Sequence, residues 1–196
     1  MIRERMRLLR ASQNAGLTMV ELLIYSLLLA MVLGIVGSFL ISSLTTEKTV
    51  RGVIDATTDG QLAARSVENG IRNASKFKLT TLTSKDQVLL ARVANRTSAG
   101  GYNCQAWYYD YSEGEIRYKK QAALIPETAW TGHLSEWTVL LDDVVSAEGK
   151  PADAPIFEEL GTKLSINFRV LAGDDPPAAI SSSAVRRLTQ ESTQCF

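Results

Sequence analysis

The chain has 196 residues, with 21 basic and 21 acidic side chains, one histidine and 45% hydrophobic residues. Balanced charge excludes a general nucleic-acid-binding profile, and a lone histidine excludes a histidine-based metal cluster. With about 60 residues given to a leader and an anchor helix, the remainder can bury one modest core.

In chain order, the first sixteen residues carry four arginines, Arg3, Arg5, Arg7 and Arg10, against Glu4, a net charge of +3. From Leu22 to Thr46 no side chain ionises at neutral pH except Tyr25, and Leu, Ile, Val and Met dominate through Ile41. About 20 such residues span the hydrocarbon core of a bilayer. The basic flank places the N-terminus in the cytoplasm and the rest of the chain outside. A secretory signal has its small cleavage residue after the apolar stretch. Here Gly16 stands before it. Glu21 sits at the edge of the apolar stretch, where a carboxylate costs less than the roughly 2.5 to 3.5 kcal/mol charged at the membrane centre. It calls for a partner.

After Thr46 the chain turns polar but keeps helical spacing through Val50, Val53, Ile54, Ala63, Val67, Ile71 and Ala74. One face of this continuation should pack on a globular domain. Gly34 and Gly37 in the apolar part, and Gly52, Gly60 and Gly70 beyond it, each cost a helix about 1 kcal/mol relative to Ala. They predict either local bending or close packing at small residues.

From Phe77 the period shifts toward two. The predicted strands are 76–82, 87–93, 103–111, 115–121, 138–145, 164–171 and 181–188. Ser112-Glu113-Gly114 reads as a hairpin turn, and 98–101, 148–151 and 173–177 read as loops. A long helix followed by antiparallel strands is an α+β order. Cys104 and Cys195 both fall in the exported part, where an oxidising compartment favours a disulfide over two free thiols. Closing a loop of about 90 residues, such a bond contributes roughly 2 to 4 kcal/mol.

The junction Gly16-Leu17-Thr18-Met19-Val20-Glu21-Leu22-Leu23-Ile24 resembles the class III leader junction of type IV prepilins and pseudopilins, usually Gly-Phe-Thr-Leu-Val-Glu-Leu. The resemblance implies cleavage after Gly16 by a membrane prepilin peptidase and N-methylation of Leu17. It also implies that Glu21 pairs with the N-terminal amine of a neighbouring subunit. Methylation keeps the amine positive, so a cation remains available for that carboxylate. The implied domains are a leader at 1–16, a transmembrane or filament-core helix at 17–44, its amphipathic continuation at 45–76 and an antiparallel β-sheet ectodomain at 77–196. Partners are then the peptidase, other pilin or pseudopilin subunits, the inner-membrane assembly platform and membrane lipid. Without the leader, seventeen basic side chains face twenty acidic ones, a net −3.

Within that family, residues 61–74, 137–145 and 164–170 are similar to W-type minor pilins and J-type pseudopilins. This implies a minor structural subunit that primes or caps a type IV pilus, secretion or competence filament, with no cofactor. The alternative is an anchored tip-binding module for adhesion or DNA capture. Trp107 and Tyr109 would stack bases while Arg117, Lys119 and Lys120 hold phosphates. Against that stands ordinary strand alternation, with Trp107, Tyr109 and Tyr111 on one core-facing side. No enzyme is expected. His133 lies in a loop, neither cysteine has a catalytic setting, and Asp142-Asp143 and Asp174-Asp175 lack the spacing of a calcium loop.

Overall fold

The computed structural model describes residues 18–95, 101–131, 133–187 and 195. The chain divides into two compact units, Met1–Lys48 and Thr49–Phe196. Helix α1, Met19–Arg72, begins in the first and ends in the second. Thr18 caps it, its hydroxyl accepting the Glu21 N–H at 3.2 Å and its carbonyl the Leu22 N–H at 3.1 Å. Its last turn is closed by Asn73, whose side-chain amide and backbone N–H both donate to the Asn69 carbonyl. An ion pair of Glu68 with Arg72, four residues apart at 2.9 Å, supports the same turn.

The protein is α+β, in a pilin-like arrangement: one long N-terminal apolar helix, whose later half packs on antiparallel sheets. The first sheet is a meander of β1 (Ala74–Thr81), β2 (Gln87–Ala94), β3 (Tyr102–Asp110), β4 (Glu115–Gln121) and β5 (Thr138–Leu141), in that spatial order. The second is built on β8 (Lys163–Ala172). The short strands β6 (Val144–Ser146) and β7 (Phe157–Leu160) pair in succession along one edge of β8, and β9 (Asp175–Val185) pairs along the other. A one-turn helix α2 (Thr128–Thr131) and a 3-10 turn (Leu134–Glu136) lie between β4 and β5.

Three strand expectations change. The predicted strand 138–145 is two strands in different sheets, because Asp143 adopts a left-handed φ of 55° and breaks the run. Its carbonyl instead accepts the Leu171 N–H at 2.9 Å. β7 carried no clear alternation, since Glu158 and Glu159 occupy its centre. The expected loop 173–177 is only a turn at Gly173-Asp174, and β9 starts at Asp175 and includes Pro176 and Pro177. Proline is tolerated there because β9 has a strand on only one side among the described residues. Leu188, the expected end of that strand, lies outside the described residues.

One core fills the space between α1 and both sheets. Its helical contribution is small: Ala56, Ala63, Ala64, Val67 and Ile71, with Gly60 and Gly70 between them. The sheets supply the bulk, including Trp107, Leu89, Ile116, Phe157, Ile166 and Phe168. Gly70 is required by Trp107, since a Cβ on residue 70 would lie 2.0 Å from the indole. The helix loses about 1 kcal/mol there, whereas burying an indole of roughly 150–250 Å² contributes about 4 to 6 kcal/mol. Close packing therefore decides Gly60 and Gly70, whereas at Gly34 and Gly37 a Cβ would meet nothing within 4 Å. α1 runs unbroken through them.

A second core lies on the other face of the first sheet, where Val88, Leu90, Cys104, Ala106 and Tyr108 meet Ile125, Ala129, Trp130, Trp137 and Cys195. Gln87 ties the sheets together. Its buried amide accepts the N–H groups of Ile156 and Phe157 at 2.9 and 3.0 Å and donates to the Phe157 carbonyl at 2.9 Å.

Candidate functional site

The first half of α1 is the part of the molecule with no internal explanation. Between Met19 and Leu44 every large apolar side chain is more than half exposed, from Ile24 at 52% to Met19 at 83%. Each Leu, Ile, Val or Met left in water forgoes about 1.5 to 3 kcal/mol. The total exceeds the stability of a typical domain, so the segment requires a cover. Among the described residues it is the one helix long and apolar enough to cross a membrane, which fits a single-pass membrane protein.

Glu21 stands at the head of that helix, half-buried, as the only ionisable acid in its first turn. The Thr18 hydroxyl caps the Glu21 N–H, the first half of a capping box. The Tyr25 hydroxyl donates to Glu21 Oε1 at 2.8 Å, one turn further on. A carboxylate in this position also meets the positive end of the helix dipole. Both partners are readable in the sequence as Thr-x-x-Glu and as Tyr at i+4, and they are local bonds besides the intermolecular amine that the prepilin resemblance implies for Glu21. Oε2 is left without a bond among the described residues. Gly16 and Leu17, assigned to cleavage and methylation, lie outside the described residues, as does the leader 1–16.

Cys104 and Cys195 form a disulfide, with Cα atoms 5.6 Å apart and both residues fully buried. The bond pins residue 195 against the centre of the first sheet, in the second core. It closes off the face opposite α1.

The five residues assigned to tip binding do not form one surface. Trp107 and Tyr109 are 0% and 2% exposed and face α1. The Trp107 indole N–H donates to Ser66 Oγ at 3.1 Å, and its ring meets Tyr118 at 5.5 Å. Neither ring is free to stack a base. Cross-strand register puts Lys120 opposite Gln105, on their side of the sheet, and Arg117 opposite Tyr108, on the other side with Lys119. Arg117 pairs with Glu115 and donates to the Leu134 carbonyl at 3.0 Å. Lys119 pairs with Glu136 at 3.0 Å, and this hydrogen-bonded ammonium holds the Glu136 carboxyl below its usual range. The stacking-and-phosphate platform is therefore dismantled by alternation. Only Lys120 is openly exposed.

His133 is exposed and precedes the 3-10 turn. Among the described residues no three His, Cys, Asp or Glu side chains converge in a way that would hold a metal. No protein-family model, curated protein or solved structure matches the chain.

Proposed function

We propose that the protein is a minor pilin or pseudopilin, a structural subunit processed by prepilin peptidase that primes or caps a type IV pilus, secretion or competence filament. The observation that carries this reading is the Gly16–Glu21 junction at the head of an uncovered apolar helix. A bilayer covers such a helix before assembly, and like helices of neighbouring subunits cover it afterwards. Glu21 fits both situations. Its bonds to Thr18 and Tyr25 are local, and the second carboxylate oxygen remains for a neighbour's N-terminal amine. Pairing lowers the cost of a charge among apolar helices.

The orientation follows from the leader, whose net +3 holds the N-terminus in the cytoplasm and sends residues after the anchor outward. A disulfide-bonded domain suits an oxidising compartment. Gly16→Leu tests the reading. In a host carrying a prepilin peptidase, intact mass should show the wild-type chain beginning at a methylated Leu17 and the variant retaining its first sixteen residues. Trimming of the variant to Leu17 would remove the basis for the assignment.

A further inference from the structure

Along the meeting of the two sheets lies a cleft of about 540 Å³, whose walls include Tyr109 of β3, Tyr111 in the turn after it, Val144 of β6, and Arg169 and Leu171 of β8. Small-ligand sites run from about 300 to 1,000 Å³. Two strong donors in its lining are unspent. Tyr109 is 2% exposed, and its hydroxyl makes no hydrogen bond among the described residues. Arg169 donates Nε–H to the Ser146 carbonyl at 3.0 Å, and neither Nη group has a protein acceptor among the described residues.

The Nε bond fixes the guanidinium plane, so little orientational freedom remains to be lost on binding. A planar fork of this kind matches the two oxygens of a carboxylate. The two ionised side chains in its lining are both cationic, while the carboxylates of Asp86 and Asp110 act on Tyr109 from outside the lining. Lys150 is the other ionised side chain in the lining, paired with Glu158 at 2.6 Å, and no carboxylate lines the cleft. Lys85, 5.4 Å from the Tyr111 ring centre, is neutralised by its ion pair with Asp153 at 3.0 Å, so the preference for an anion rests on the Arg169 fork. Apolar surface from Val144, Leu171 and the tyrosine rings completes the walls.

We propose that this cleft binds a small organic carboxylate, its oxygens on the Arg169 fork and the Tyr109 hydroxyl and its apolar or ring-bearing body against Tyr111, Val144 and Leu171. Burial pushes the Tyr109 phenol up to about 12, so it remains a neutral donor at physiological pH. The site lies within the second unit and is independent of how the apolar helix is used.

The test is an NMR titration of the full chain in detergent micelles, with benzoate and inorganic phosphate as probes. Benzoate should bind saturably, and Arg169→Gln should weaken it by about tenfold or more. Arg169 also braces Ser146, so Tyr109→Phe, which keeps the ring and removes only the donor, serves as the second variant. It should weaken benzoate by about three- to tenfold. Absence of saturation, equal affinity in wild type and Tyr109→Phe, or phosphate bound as tightly as benzoate would overturn the assignment.

Discussion

The two halves of α1 share a backbone conformation and differ in what surrounds it. Residues 19–44 carry large apolar side chains that nothing among the described residues covers, while the domain-borne turns bury Ala56, Gly60, Ala63, Ala64, Val67, Gly70 and Ile71. In the first half the helix is the bulky partner and its cover must come from outside. In the second the sheets are bulky and the helix recedes to admit them. The same residue class, glycine, shows the contrast. At Gly34 and Gly37 a Cβ would meet nothing within 4 Å, whereas at Gly60 it would meet Ile180 at 2.8 Å and at Gly70 the Trp107 ring at 2.0 Å.

Paired truncations break that comparison if it is wrong. Trp107→Ala should destabilise the domain by about 3 to 5 kcal/mol, the range for large aromatic deletions in a core. Leu33→Ala, which removes a 60% exposed side chain, should leave the same unfolding midpoint unchanged in detergent. Urea unfolding followed by Trp fluorescence measures both. Equal losses would mean that the two halves are not energetically separate.

The next effect sharpens the division inside the domain. Cys104→Ser with Cys195→Ser opens the strap over the outer face of the first sheet and should cost about 2 to 4 kcal/mol. The loss should register first in near-ultraviolet circular dichroism from Trp130 and Trp137, which belong to that face. A variant as stable as wild type would show that the outer core holds without its strap.

Legibility in the sequence follows the same boundary. The apolar run, its single carboxylate and the Gly16 junction depend on local order, so they could be read directly. The meander β1 to β4 was also readable, because alternation and the Ser112-Glu113-Gly114 turn are local, and Gly114 does take a φ of +68° there. What escaped depended on distant neighbours. Asp143 looks like a strand residue until Leu171 claims its carbonyl, and Gln87 looks like a surface residue until it meets Ile156 and Phe157 about 70 positions away. The core-facing side of Trp107 and Tyr109 was legible in the alternation, and both rings are buried, whereas the ion pair of Lys119 with Glu136 depended on a neighbour in another element.

The smallest expected effect is electrostatic and probes the sheet side that faces α1. Burial above all, with the negative neighbours Tyr111, Asp110 and Asp86, raises the Tyr109 phenol from 10.0 to about 12. A raised phenol favours its neutral form in the folded protein, so its contribution is fully present below pH 10, the unfolded value. It is lost as pH climbs through about 12, because the unfolded chain releases the proton first. Tyr108 shifts in the same direction through burial and its 2.7 Å bond to Asp86, so the two residues titrate in the same alkaline region. Tyr109→Phe separates them: the fall in urea midpoint between pH 10 and 12 should be shallower than in wild type, and the curves should coincide at pH 7 to 9. Identical slopes would mean that the Tyr109 hydroxyl reaches water freely through its cleft, and that its depth in the sheet does not govern its proton.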